Sequence, residues 1–215
     1  MYPRVFSLLI GYVFGCFLTA EFVSRKFAGK PVSQIGPTGN PGMANVMDAL
    51  GFKIGILVLL GDLLKCVLAM LTAGLLFYRG SGWIVVLYAG LGCTLGHDFP
   101  FWRRFRGGKG VATSSAAITI FDPLCSLIAH VVGILVTLWT KYLCLSGPAV
   151  PLAFGICMLV TRRWEAAAIA GVMTLLSLVT NIKSLKGIKT KTTKQNDFLG
   201  ALRKKKEKAK GHPED

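Results

Sequence analysis

Charged residues are scarce in this sequence, and acidic residues are the scarcest of them. Asp, Glu, Lys and Arg make up 16% of the 215 residues, whereas a soluble domain usually carries about 25%. Long stretches have no charge at all, and 53% of the chain is hydrophobic. Because a helix needs roughly 20 mostly apolar residues to span a bilayer, the composition excludes an ordinary soluble domain. It indicates an all-α integral membrane protein.

The sequence also lacks the patterns of a metal centre, a disulfide framework or a P-loop. Its six cysteines are scattered through apolar stretches without close pairs, where cysteine behaves as a small apolar residue. The loop sequence GGKG has neither the GxxxxGK(S/T) spacing of a P-loop nor a strand before it. We therefore expect no metal and no cofactor. The first apolar segment is followed by no small-residue cleavage site, so we expect it to be retained.

About seven apolar segments are predicted to be transmembrane helices, and several are short for a full span. Proline-containing breaks, at Asp122-Pro123 and Gly147-Pro148, are expected to separate some of them. The predicted segments are Val5–Ser24, Phe52–Tyr78, Trp83–Gly96, Val111–Phe121, Leu124–Trp139, Pro148–Val160 and Trp164–Thr180.

Lysine and arginine are distributed unequally between the two sets of connecting loops. The richer set comprises the loops at 25–51 and 97–110, Lys141 and the C-terminal tail. The poorer set contains Arg4, Arg79, Arg162 and Arg163. Because cytoplasmic loops carry the excess of lysine and arginine, the richer set is expected to be cytoplasmic. Seven spans then place the N-terminus outside the cell membrane and the C-terminus in the cytoplasm.

The predicted organisation is a transmembrane unit over residues 1–182 and a basic cytoplasmic tail over residues 183–215. The tail carries a large share of the net charge of +15. It is interpreted as a solvated segment, as a segment attracted to anionic membrane lipids, or as both. No aromatic residues interleave with these charges, so no nucleic acid partner is expected.

The loop at 97–110 has the features of a phosphate site in the run Arg106-Gly107-Gly108-Lys109-Gly110. Glycines allow successive backbone N–H groups to converge on one point, and such nests bind anions. If a helix begins at Val111, its N-terminus adds further N–H groups and a positive partial charge. Lys109 adds a full charge. The alternative is a basic membrane anchor with a flexible turn.

His97 lies where an apolar helix meets this loop. Histidine is the usual group for proton transfer near neutral pH, which predicts a direct role in chemistry. The alternative is a packed, hydrogen-bonded side chain.

The loop at 25–51 offers a hydroxyl, an amide and exposed backbone at Thr38, Gly39 and Asn40, with Asn45 at the mouth of the next helix. These residues are predicted to complete the phosphate site or to position substrate hydroxyls. A capped turn leading into a helix is the alternative.

Asp62 and Lys65 lie inside a predicted span at a spacing that puts them on one helix face. Charged residues within a membrane tend to face a polar interior. The two are expected to form a structural ion pair or to support the site.

The run GHDFPFWRRFRGGKGVAT, which ends at Thr113, resembles the GHxFPxFxxFxGGKGVAT signature of the bacterial acyl-phosphate:glycerol-3-phosphate acyltransferases, the PlsY family. TGNPGMANVM resembles the SGNPGATNVxR of that family, DLLK at Asp62–Lys65 resembles its DxxKG, and Asn181-Ile182 resembles the NI of its third motif. The order and spacing of the motifs agree over nearly the whole chain.

The resemblance implies transfer of an acyl group from acyl phosphate to glycerol 3-phosphate, which yields lysophosphatidic acid and phosphate without acyl-CoA or acyl carrier protein. Lys109 and the glycine loop would hold a phosphate, and Thr38, Gly39 and Asn40 would line the same pocket. His97 would lie beside the chemistry, and Asn181 would close the site.

Several positions depart from the family pattern. GSIP in the first span is Gly15-Cys16-Phe17-Leu18, and the Ser, Thr and Arg of the first motif are Thr38, Ala44 and Asp48. The Arg and His of the third motif correspond to Ser177 and Leu178. Asp98 stands where an apolar residue is usual, and we expect it to orient His97 or raise its basicity. The alternative function is a non-catalytic paralogue that binds a phospholipid or a phosphometabolite.

Overall fold

The computed structural model describes residues 2–193 and residue 195, and this part of the chain contains helices and no strands. The all-α prediction is therefore confirmed. Two short 3₁₀ turns lie at Val32–Gln34 and Phe101–Arg103. The α-helices in the described part are α1 (Tyr2–Gly15), α2 (Thr19–Ala28), α3 (Met43–Leu50), α4 (Phe52–Ser81), α5 (Ile84–Asp98), α6 (Val111–Phe121), α7 (Pro123–Thr140), α8 (Leu143–Val160) and α9 (Trp164–Lys189).

Six helical segments in the described residues are long and apolar enough to cross a membrane. α6 is apolar but has only 11 residues, which at 1.5 Å per residue spans about 16 Å, roughly half of a hydrocarbon core. It is the short member of a set of about seven helices, as the sequence predicts. The six long segments are Tyr2–Ala28, Phe52–Ser81, Ile84–Arg103, Pro123–Thr140, Leu143–Val160 and Trp164–Lys189.

One of the two proline breaks is confirmed and the other is wrong. Asp122 caps α7 by accepting a hydrogen bond from the Cys125 N–H at 3.0 Å, and Pro123 takes the first helical position, where its missing N–H costs nothing. Pro148, by contrast, lies inside α8, which begins at Leu143. Prolines are tolerated within membrane helices because neighbouring helices compensate for the lost hydrogen bond.

The first predicted span differs from the structure, and two segments predicted as loop or tail contain helix. The span predicted as Val5–Ser24 is two helices, with a break between Gly15 and Thr19. The loop at 25–51 contains α3, and the expected start of the tail at residue 183 lies within α9. The remainder of the predicted tail, residues 194 and 196–215, lies outside the described residues.

Glycines line the contact between α1 and α5 and allow the two backbones to approach closely. A Cβ added at Gly11 or Gly15 would collide with the backbone of α5, and one added at Gly92 or Gly96 would collide with the backbone of α1. Small residues allow this contact in a membrane, where association rests on close packing. α5 is thereby held at the centre of the bundle, with almost all its residues buried.

Polar contacts tie the helices together at the end of the bundle where α1 and α9 begin. Arg4 binds Glu165 with both guanidinium contacts at or below 3.0 Å, and the Tyr88 hydroxyl donates to Glu165 at 3.0 Å. Arg163 pairs with Asp122 in the same layer. The loops with the glycine-rich motifs lie at the opposite end, where α5 ends and α6 begins.

Candidate active site

His97 lies in the last turn of α5, buried among charged neighbours from α4. Its Nδ1 atom is 2.8 Å from the Nζ atom of Lys65 and 3.6 Å from Oδ1 of Asp62. Lys65 and Asp62 form the expected ion pair at 3.0 Å, with both side chains about 5% exposed or less. The three side chains therefore form one buried polar cluster.

The break between α1 and α2 supplies the remaining partners of this cluster. Lys65 Nζ donates to the carbonyl oxygens of Gly15 at 3.2 Å and Phe17 at 2.8 Å. The Thr19 hydroxyl, at the start of α2, donates to Asp62 Oδ1 at 3.2 Å. Because the chain leaves its helical path here, two carbonyl oxygens are free to bind the ammonium group.

This arrangement fixes the tautomer of His97. The Lys65 ammonium group only donates hydrogen bonds, so the Nδ1 atom that it contacts must accept. The proton of the neutral imidazole then lies on Nε2, which points toward Gly108: a Cβ at position 108 would collide with Nε2. His97 thus presents an N–H donor to the glycine loop.

The glycine loop folds back onto the end of α5. The Gly108 N–H donates to the His97 carbonyl oxygen and the Gly107 N–H to the Asp98 carbonyl oxygen, both at 2.9 Å. These two N–H groups cap α5, and they are already bonded within the protein. They are therefore unavailable to the predicted anion nest, which stays a prediction for the N–H groups of Lys109, Gly110 and the first turn of α6.

α6 begins at Val111, as expected, with Gly110 before it in the left-handed conformation at φ 65°. The first N–H groups of an α-helix have no partner within the helix and carry a positive partial charge. Lys109 is adjacent, and burial lowers the pKa of its ammonium group below the ordinary value for lysine. An anion at this point would meet both the helix N-terminus and the lysine.

Lys109 connects the loop to α9. Its Nζ atom donates to the Ser184 hydroxyl at 2.7 Å, and its carbonyl oxygen accepts from the Thr180 hydroxyl at 3.5 Å. Asn181, 1% exposed, lies one turn before Ser184 and donates to the Ser177 carbonyl at 2.9 Å. α9 therefore forms the wall of the site opposite α5.

The residues at Thr38–Asn45 form a compact turn that is organised by Asn45. Oδ1 of Asn45 accepts from the Thr38 N–H, the Thr38 hydroxyl and the Gly39 N–H at 2.9–3.1 Å. Its Nδ2 atom donates to the Ile35 carbonyl at 3.0 Å. Asn45 is buried and fully engaged in the turn, so its amide holds the loop in shape and leaves Thr38 and Asn40 nearer the surface.

Three further residues singled out in the sequence have distinct environments. Arg106 is exposed. Thr113 is fully buried, and its hydroxyl donates to the Gly110 carbonyl at 3.1 Å. Asp98 packs under Gly110, and neither of its carboxylate oxygens has a hydrogen-bond partner among the described residues. Asp98 therefore makes no hydrogen bond to His97, although it was expected to orient the imidazole or raise its basicity.

The sequence matches known proteins over almost its full length. Residues 5–190 match the family described as glycerol-3-phosphate acyltransferase. The chain belongs to this family. It is 36% identical over 199 residues to glycerol-3-phosphate acyltransferase 1 of Lactobacillus johnsonii, with 93% of this chain and 95% of the relative covered. The glycerol-3-phosphate acyltransferase of Thermus thermophilus is 32% identical over 197 residues, with 91% and 96% covered.

Solved structures of a family member have the same fold. The glycerol 3-phosphate form of PlsY (YgiH), an integral membrane glycerol 3-phosphate acyltransferase, superposes with a TM-score of 0.79 at 28% identity, covering 93% of this chain and 98% of that one. Its lysophosphatidic acid form gives a TM-score of 0.75 at 26% identity, covering 89% and 94%. The chain is thus a multi-pass membrane glycerol-3-phosphate acyltransferase of phospholipid synthesis, and the non-catalytic alternative is not favoured.

Sequence reasoning missed one side chain of the site and two backbone carbonyl groups. Ser184 follows Asn181 by one helical turn, so its position on the same face of α9 was readable from the spacing. The carbonyl oxygens of Gly15 and Phe17 carried no such signal, because their role depends on where α1 breaks.

Proposed function

We propose that this acyltransferase takes its acyl group from an acyl phosphate. The hydroxyl oxygen of glycerol 3-phosphate attacks the acyl carbonyl carbon, the bond from that carbon to the phosphate oxygen breaks, and the hydroxyl proton leaves with phosphate or solvent. The products are lysophosphatidic acid and inorganic phosphate. The observation that supports the proposal is the placement of Lys109 and Gly110 at the N-terminus of α6, beside Nε2 of His97.

The residues of this corner have separate roles in the proposal. Lys109 and the first N–H groups of α6 hold a phosphate, and Asn181 closes the site from α9. His97 donates a hydrogen bond from Nε2 to an anionic oxygen, since its other nitrogen is held by Lys65. An acyl phosphate is already activated, so positioning and electrostatic stabilisation supply the catalysis without a covalent intermediate.

The more exposed residues are proposed to make the first contacts with the soluble substrate. Arg106, together with Thr38, Gly39 and Asn40, attracts and orients the soluble anion, while Asn45 keeps that turn in shape. Asp62 acts through Lys65 by holding its ammonium group against the imidazole. Gly107 and Gly108 hold the loop against α5, and Thr113 closes the first turn of α6.

The proposed location is the cell membrane, with the active site and the C-terminus in the cytoplasm and the N-terminus outside. Lys109, the turn at Thr38–Asn45 and the end of α9 lie at one end of the bundle, the end with most lysines and arginines. In this arrangement the C-terminal end of α9, with Lys183, Lys186 and Lys189, lies at the cytoplasmic surface, where anionic membrane lipids attract it. A green fluorescent protein fused to the C-terminus is expected to fluoresce, and a dark but inserted fusion would reverse the orientation.

The donor is tested with purified protein in lipid vesicles and radiolabelled glycerol 3-phosphate. Palmitoyl phosphate, palmitoyl-CoA and palmitoyl-acyl carrier protein are offered separately, and lysophosphatidic acid and phosphate are measured. We expect product from the acyl phosphate alone, with one phosphate released per product. Product from either thioester at an equal rate would overturn the proposed donor. Lys109→Ala serves as the control that loses product formation with every donor.

A further inference from the structure

Asp98, at the end of α5, carries a buried carboxylate without a hydrogen-bond partner. The residue is 2% exposed, and neither Oδ1 nor Oδ2 is bonded to any group among the described residues. A carboxylate that is taken out of water without partners costs free energy, and native proteins keep few such groups. Packing alone does not account for it, since an apolar side chain of similar size would fill the space without this cost.

The carboxylate lies against Gly110, the residue that precedes α6. A Cβ added to Gly110 would come within 2.8 Å of Oδ1 and 2.7 Å of Oδ2, so both oxygens face the backbone where α6 begins. The N–H group of Ser114 donates to the Gly110 carbonyl oxygen at 2.8 Å, and the N–H groups of the earlier residues of α6 have no acceptor within the helix. Asp98 thus lies behind the same helix N-terminus that is proposed to hold a phosphate.

The two lysines of the site have other partners. Lys65 pairs with Asp62 at 3.0 Å. Lys109 donates to the Ser184 hydroxyl at 2.7 Å. Beside the Asp98 carboxylate lies the partial positive charge of the α6 N-terminus, which favours a negative group. The carboxylate and a bound phosphate would therefore both be attracted to the same positive charge.

We propose that Asp98 sets the affinity of the site for phosphate by lowering it. The inference rests on the proposed function, in which a phosphate group binds at Lys109 and the N-terminus of α6. Arrival of that phosphate places a second negative charge near a carboxylate that has no donor to compensate it. The carboxylate then either repels the phosphate or has to take up a proton, and both responses weaken binding relative to a neutral side chain. Because its oxygens are covered, Asp98 acts through its charge and does not touch the substrate.

Weaker phosphate binding benefits the proposed reaction, because phosphate groups are present before and after the acyl transfer. Acyl phosphate, glycerol 3-phosphate and the released phosphate are all anions. Tight binding that does not distinguish the ground state from the transition state lowers KM without raising kcat, and here it would also retain the phosphate product. Asp98 therefore favours release of phosphate after each turnover.

The test removes the charge of Asp98 in two ways. Asp98→Asn keeps the size and polarity of the side chain, whereas Asp98→Leu replaces it with an apolar group of similar size. Asp122→Asn is the matched control, since it removes the same charge at the opposite end of the bundle, and its amide oxygen can still accept the hydrogen bond from the Cys125 N–H that caps α7. The dissociation constant of inorganic phosphate is measured by titration calorimetry of the purified proteins in lipid nanodiscs, at one pH.

We expect both Asp98 variants to bind inorganic phosphate at least about tenfold more tightly than the wild type, because like charges repel strongly where water is excluded. Distortion of the loop would weaken binding, so damage to the structure does not explain a gain. Asp122→Asn is expected to keep the wild-type affinity. Unchanged or weaker binding in both Asp98 variants would overturn the inference. A gain in only one of them would do so too, because it would assign the effect to the new side chain and not to the lost charge.

Kinetics and one further variant separate this inference from the proposed function. The inhibition constant of phosphate is expected to fall in parallel with its dissociation constant, together with the KM of the substrate whose phosphate occupies the site, acyl phosphate or glycerol 3-phosphate. Lys109→Ala is expected to lose phosphate binding. If Lys109→Ala binds phosphate as the wild type does, the proposed site is wrong and the inference fails with it. If Lys109→Ala loses binding and the Asp98 variants gain none, the inference about Asp98 fails alone.

Discussion

The Nζ atom of Lys65 lies 2.8 Å from Nδ1 of His97, deep in the bundle and 32 residues away along the chain. A lysine ammonium group cannot accept a hydrogen bond, so this contact makes the histidine an acceptor at Nδ1 and a donor at Nε2. A histidine that donates from Nε2 stabilises an anion, and it is unable to act as a general base from that atom.

This difference predicts how His97 variants behave. In His97→Gln the side-chain amide retains an N–H donor near the position of Nε2, so we expect it to keep more activity than His97→Ala. Loss of an anion-stabilising donor typically costs about 10²–10³ in kcat, which is the decrease expected for His97→Ala. The measurement is kcat of both variants in vesicles. Equal and complete loss in both would instead indicate a general base.

The Asp62–Lys65 pair predicts a stability effect. Lys65→Met leaves the Asp62 carboxylate buried without its cation, which typically costs about 3–5 kcal/mol. The double variant Asp62→Asn, Lys65→Met removes both charges and is expected to be more stable than Lys65→Met alone. Thermal unfolding of the detergent-solubilised proteins measures the order. A Lys65→Met protein as stable as the wild type would show that water reaches the carboxylate.

The environment of Lys109 predicts a pH dependence. Lys109 must be protonated to hold a phosphate, and burial lowers the pKa of its ammonium group, so kcat/KM is expected to fall as the pH rises through a value below that of an ordinary lysine. Lys109→Arg keeps its charge at any accessible pH. The fall is therefore expected to move to higher pH in the arginine variant, whatever its absolute rate. An identical profile in both proteins would assign the titration to another group.

The contact between Gly108 and His97 predicts a steric effect. A methyl group at position 108 collides with the imidazole Nε2 atom, so Gly108→Ala displaces either the ring or the loop. We expect at least about a tenfold loss of kcat/KM, since a displacement of about 1 Å at a catalytic group can cost 10²-fold. Gly80→Ala, where the methyl group meets nothing, is the matched control. Normal activity in Gly108→Ala would place the chemistry away from this contact.

The sequence was sufficient for the plan of the molecule and for features that depend on local spacing. Hydropathy predicts the long helices, helical periodicity predicts that Asp62 and Lys65 pair, and the glycines before Val111 predict the start of α6. Gly147-Pro148 was the exception, because the neighbours that permit a proline within α8 are distant in sequence.

The features that depend on tertiary contacts were not predictable. Asp98 follows His97 in the sequence, yet neither of its carboxylate oxygens has a hydrogen-bond partner among the described residues, and the charged groups that lie against the imidazole are Lys65 and Asp62 of another helix. Similarly, the N–H groups of Gly107 and Gly108 were expected to face a ligand. They cap α5 instead, because the loop folds back onto the end of that helix. This fold of the loop is set by tertiary contacts and has no signature in the local sequence.

The pairing of Arg4 with Glu165 joins the first helix to the last across 161 residues. A chain that enters the membrane during synthesis exposes Arg4 long before Glu165 is made. Until α9 is made, the glycine contact with α5 has to hold α1 in the bundle without this ion pair. The order in which the helices are synthesised therefore matches the order in which α1 gains its partners, first α5 and then α9.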